Sequence, residues 1–146
     1  MGRKQCCVFT VVCLTMVISA CGSNSSTTAP STTTPSVAAP TVTEPWSGTV
    51  PVGGSAFYSF SIAQNGTVNV TLLSVSGQFV PSTVTLGLGL GTPSGTTCAT
   101  SSTTNARAGT TPQVTATDAP GLYCVNVSDV GNLFAPATFS ITIAHP

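Results

Sequence analysis

The chain has almost no charge. Of its 146 residues only 4% are charged: three Lys or Arg and three Asp or Glu, beside a single histidine. Two of the three cations, Arg3 and Lys4, sit at the very start, so Arg107 is the only fixed positive charge further along. Phosphate binding needs several Lys or Arg, and nucleic acid is not an expected partner. A glycosidase needs two carboxylates flanking one bond. Here Glu44 stands alone, and Asp118 and Asp129 flank opposite ends of one predicted strand, more than about 20 Å apart at 3.3 Å per residue. A serine hydrolase needs a base and an acid beside its serine. The only histidine, His145, lies next to the end of the sequence, no Gly-x-Ser-x-Gly elbow is present, and His145 reads as a terminal residue without a task. Zinc needs three or four close His, Cys or acid ligands, which the composition does not supply. Asp129 with Asn132 and backbone carbonyls makes at most a weak calcium site. No catalytic residue, metal or cofactor is expected, and a small hydrolase is the most remote functional reading.

Long apolar runs are also scarce. The run from Val8 to Ile18 is too short for a membrane-spanning helix, which needs about 20 residues. Preceded by Arg3 and Lys4 and followed by small residues, it has the order of a secretory signal peptide. Its end, Ile18-Ser19-Ala20-Cys21, resembles the bacterial lipoprotein box, in which the cysteine is acylated and becomes the first residue after cleavage. The resemblance implies a leader over 1–20 and a membrane anchor at Cys21. Two or more acyl chains hold firmly where one is marginal, at about 0.8 kcal/mol per buried CH₂.

Of the six cysteines, Cys6, Cys7 and Cys13 fall in that leader and Cys21 takes the lipid. Cys98 and Cys124 remain, and an exported, oxidising compartment makes them a disulfide. A catalytic cysteine would need an electropositive setting, which this chain lacks. Residues 21–44, rich in Ser, Thr and Pro, cannot bury a core and read as a flexible tether. Such a tract spans about 25–70 Å.

From Pro45 onward the apolar pattern has period two. Ala56, Tyr58, Phe60 and Ile62 share one side of a strand. Asn65-Gly66 follows, a strong hairpin signal. Val68, Val70 and Leu72 point inward in the next strand, then Val84, Leu86, Leu88 and Leu90. Gly87 and Gly89 interrupt that strand and imply a bend or a close backbone approach. Residues 91–113 read as turn-rich, with a short strand over 114–117. Asp118-Ala119-Pro120-Gly121 is a turn by composition. Tyr123, Val125 and Val127 then share a face, with Cys124 on the opposite one. A loop over 129–136 leads to Phe139, Ile141 and Ile143. The expectation is all-β: a single antiparallel, jelly-roll-like sandwich of seven or eight strands over 45–146.

Three groups of residues carry a resemblance across Ser47 to His145. They are Ser47-Gly48-Thr49-Val50 with Ala56-Phe57-Tyr58-Ser59-Phe60-Ser61-Ile62; Gly66-Thr67-Val68-Asn69-Val70-Thr71-Leu72; and Pro120-Gly121-Leu122-Tyr123-Cys124-Val125-Asn126-Val127 with Phe139-Ser140-Ile141-Thr142-Ile143. This region looks like the bacterial pre-peptidase C-terminal domain, a jelly-roll-like accessory of exported proteins. The resemblance implies a non-catalytic module, some relatives of which bind matrix protein or carbohydrate, often with calcium. The sequence departs from that pattern in having no preceding catalytic domain and almost no acids.

The reading that follows is a lipid-anchored protein of the bacterial cell envelope, on the outer membrane or cell surface, displaying one sandwich that binds a protein or glycan. Its possible ligand contacts are the aromatics Trp46, Phe79 and Phe134, the last two in predicted loops, where function concentrates. Trp46 also fits a core or edge plug. The alternative is a structural subunit or accessory of an envelope complex, with exposed strand edges as the contact.

Overall fold

A computed structural model describes residues 36–146; the leader, Cys21 and most of the tether lie outside them. Eight strands follow one another: β1 (Val42–Val50), β2 (Ser55–Ile62), β3 (Gly66–Ser76), β4 (Leu86–Ser94), β5 (Thr97–Ala106), β6 (Val114–Asp118), β7 (Gly121–Asp129) and β8 (Ala137–His145). The period-two pattern places them. Alternate residues such as Phe60 and Ile62, or Phe139, Ile141 and Ile143, are apolar and buried, and their Ser and Thr neighbours are not. Side chains alternate across a strand, so this pattern gives each sheet one face for a core and one for water.

The two antiparallel sheets have the orders β1-β8-β3-β6 and β2-β7-β4-β5. Their inner faces meet over Val68, Val70, Leu72, Phe139, Ile141 and Ile143 on one side and Leu86, Leu88, Leu90, Val125 and Val127 on the other. Every connection except β4–β5 passes from one sheet to the other. That is a long folded ribbon rolled up, with β1 against β8, β2 against β7 and β3 against β6: an eight-stranded jelly roll.

The rolling corrects three expectations. Asn65-Gly66 is not a hairpin turn, because β2 and β3 lie in different sheets. Gly66 is needed for a close approach instead: a Cβ there would lie 2.5 Å from the Ala38 carbonyl oxygen and 2.6 Å from Pro146. Residues 91–113 are not mainly turns. β4 continues to Ser94, and β5 returns beside it after a tight turn at Gly95, which has a positive φ. The sandwich also begins before Pro45. Ala38 bridges to Gly66, the Thr41 N–H donates to the His145 carbonyl, and β1 starts at Val42, so residues 38–44 belong to the fold rather than the tether.

Cys98 and Cys124 are bonded. Cys124 faces away from Val125 and Val127, so the bridge fastens β5 to β7 across β4 on the outer face.

Candidate functional site

Strands β1, β3, β5 and β7 run one way and the other four run back. The connections therefore collect at two poles. At the entry pole, Ala38 hydrogen-bonds to Asn65 and Thr67, and the Ala63 N–H donates to Pro146. At the far pole lie residues 51–54, 77–85, 107–113 and 130–136.

Near the entry pole an aromatic and acid cluster closes the seam between β1 and β2. His145 is only 3% exposed; its Nε2 is 3.2 Å from Glu44 Oε1 and its Nδ1 is 3.2 Å from the Pro146 oxygen. Both ring nitrogens therefore face oxygen atoms, one on β1 and one at the adjoining residue. The contact to Glu44 ties β8 to β1, so the residue has a structural task after all. The Tyr58 hydroxyl donates to Glu44 Oε2 at 2.8 Å. That bond and the carboxylate charge push the phenol above its ordinary pKa. Trp46 stacks on Tyr58 with ring centroids 5.5 Å apart and meets Phe139 edge-on at 5.0 Å. Of its two sequence readings, this packing accounts for the indole as a half-buried edge plug without calling on a ligand.

The far pole holds the other two candidate contacts. Phe79 is 83% exposed and Phe134 is 94% exposed. Their loops have one base: a Cβ on Gly77 would lie 2.9 Å from the Pro136 carbonyl oxygen. Asp129 ties in a third loop. Its Oδ2 accepts the Gly53 N–H, while Oδ1 accepts those of Gly131, Asn132 and Leu133. The Gly53 bond and then the others hold this carboxyl below its ordinary pKa. These donors also bear on the weak calcium site expected at this position. Backbone N–H groups converge on Asp129, whereas a cation would need carbonyl oxygens there. Among the described residues no three His, Cys, Asp or Glu side chains gather into a metal-binding group.

A surface that the sequence did not reveal lies on the outer face of the second sheet. Gly87 and Gly89 form the floor of a half-open cleft of about 360 Å³, with Thr103 and Asn105 of β5 on one wall and Asn126 and Ser128 of β7 on the other. The predicted close approach is present: a Cβ on Gly87 would strike the Ser128 hydroxyl, and one on Gly89 would lie 2.6 Å from Thr100. The missing signal was β5, whose polar sequence does not alternate.

These features define an all-β jelly-roll domain with an uncharged cleft and a pole that carries exposed apolar side chains. No family model matches the chain, and no curated protein matches it.

Proposed function

We propose that the protein is a non-catalytic, lipid-anchored component of the bacterial cell envelope that presents its sandwich to a protein or glycan. One observation carries this reading. The chain enters the sandwich at one pole, while the exposed aromatics Phe79 and Phe134 stand at the other. A domain held at Cys21 by a Ser/Thr/Pro tether that enters at the opposite pole would leave that far pole free for contact. The cleft suits the same role. Its amide and hydroxyl walls carry no charge, which matches the neutral hydroxyls of a glycan or the backbone of an extended peptide. The resemblance to pre-peptidase C-terminal domains points the same way.

Protease shaving of intact cells tests the display, with a tag at the C-terminus and a periplasmic protein as control. Loss of the tag while the control survives is expected; protection of both refutes surface display. Release of a Cys21→Ala variant into the medium or periplasm is expected from the lipid anchor.

A second reading rests on β5. Among the described residues it pairs only with β4, and its ten residues include no proline and no charge to discourage a further strand. Such an edge suits strand addition within an envelope complex. Recovery of one stoichiometric partner after mild crosslinking, lost when Thr103 is replaced by proline, would favour it.

A further inference from the structure

We infer that the far pole is a lipid-facing tip that docks on a neutral bilayer surface. On the display reading above, this surface belongs to a membrane other than the one that holds the anchor. Three apolar side chains, Val52, Phe79 and Phe134, project from three loops that Asp129 and the Gly77–Pro136 contact hold together.

The backbone supports a selected exposure rather than an incidental one. Two tip turns share a design. In the first, the Gly54 N–H donates to the Pro51 carbonyl, and Gly53 takes the positive φ of the third position. In the second, the Val80 N–H donates to the Gly77 carbonyl, and the same position is Phe79, with φ 63°. Glycine or asparagine belongs there on conformational grounds. A phenylalanine is strained there, and it gains no compensating burial within the described chain. Such strain concentrates where a side chain is kept for contact.

The choice of lipid over protein rests on charge. Residues 51–54, 77–85 and 130–136 contain no charged side chain; the fourth far-pole segment adds a single exposed cation, Arg107, whose Nε–H donates to Thr85 Oγ1 at 3.3 Å, and the adjoining Asp129 carboxylate is saturated by backbone donors. Protein interfaces draw register and partner choice from charged rims. A zwitterionic headgroup layer needs none, and protruding aromatics enter it without desolvating an ion. Each buried phenyl ring strengthens binding by roughly tenfold or more.

The test uses full chain purified from host membranes and reconstituted in phosphatidylcholine vesicles, mixed with labelled acceptor vesicles of the same lipid. Acceptor capture is expected. The double variant Phe79→Ser with Phe134→Ser is expected to lower it by at least about tenfold without lowering the melting temperature. Leu122→Ser, which removes an exposed apolar side chain on the outer face near the entry pole, is expected to leave capture unchanged. Equal capture by the double variant overturns the inference. So does a requirement for anionic lipid, and so does capture that appears only when the acceptor vesicles carry the chain, which would assign the tip to a second copy. If the chain washes off the donor vesicles, the anchor reading fails by itself. Flotation of the free variants with phosphatidylcholine vesicles then decides the tip separately.

Discussion

His145 and Glu44 meet at 3.2 Å across a sequence separation of 101 residues. The pair joins the first strand of the sandwich to the last at the pole where the chain enters. Tyr58 adds the third member, so β1, β2 and β8 share one carboxylate. Glu44→Gln is expected to cost about 1.5–3 kcal/mol, the usual worth of a hydrogen bond to a charged group, read as a lower melting temperature.

The same cluster predicts an alkaline signature. The Tyr58 phenol is raised because its hydroxyl donates to Glu44 and because the carboxylate opposes a second negative charge. A pKa raised by folding means stability that is complete below the ordinary tyrosine value near 10 and is lost as pH rises through the higher folded value. Absorbance titration of the phenols is expected to show one late-titrating tyrosine in the native protein. In Glu44→Gln that tyrosine should titrate earlier, and an unchanged curve would remove Glu44 as the cause.

At acid pH two aspartates pull in opposite directions. Asp129 is lowered by its backbone donors, Gly53 first. Its contribution is present above the ordinary aspartate range and lost as pH falls through the depressed folded value. Asp118 is raised by burial, and its Oδ2 is buried without a hydrogen-bond partner. Ionising Asp118 therefore costs stability as pH rises through its folded value. Asp118→Asn is expected to raise the melting temperature at pH 7, with the gain vanishing once the native carboxyl is protonated. Asp129→Ala is expected to lower it at pH 7 and to flatten the acid limb of the stability curve.

Much of this fold is legible because local alternation reports which face of a strand is buried. Val68, Val70 and Leu72 needed only their neighbours to be placed inward, and Cys124 needed only its parity with Val125 to be placed outward. Pairing is not local. Asn65-Gly66 carries the chemistry of a two-residue turn, yet β2 departs for the other sheet because its apolar face is needed opposite Phe139 and Ile141, a demand set more than seventy residues further on. β5 escaped because an edge strand covered on one side by β4 can be Ser and Thr throughout. The cleft escaped with it, since one wall is β5. His145 escaped because nothing near either residue announces that Glu44 lies beside it.

The glycines of β4 give a graded prediction. A Cβ on Gly89 would meet the Thr100 methyl at 2.6 Å, the end of a side chain that can turn away. On Gly91 it would strike the Ala99 carbonyl, which is backbone fixed in the β4–β5 ladder beside the bulge. Gly89→Ala is expected to cost about 1–3 kcal/mol, in the range of overpacking, with the fold kept. Gly91→Ala is expected to cost more and to disrupt β5, so hydrogen exchange in 97–106 should rise even where the rest stays protected. Equal effects at the two positions would contradict the geometry.

Phe79 separates a residue kept for stability from one kept for contact. A non-glycine residue in the left-handed region carries about 1–2 kcal/mol of strain. Replacement by glycine relieves the strain but returns about 0.5–1 kcal/mol through the freer unfolded chain, so asparagine is the cleaner probe. Phe79→Asn removes a side chain that is 83% exposed and therefore gives up little burial. The expected result is an unchanged or higher melting temperature, by up to about 1 kcal/mol in stability, together with weaker capture of neutral vesicles. A fall in stability would mean that the ring is packed in the native state, and the strain at this turn would then need no contact to account for it.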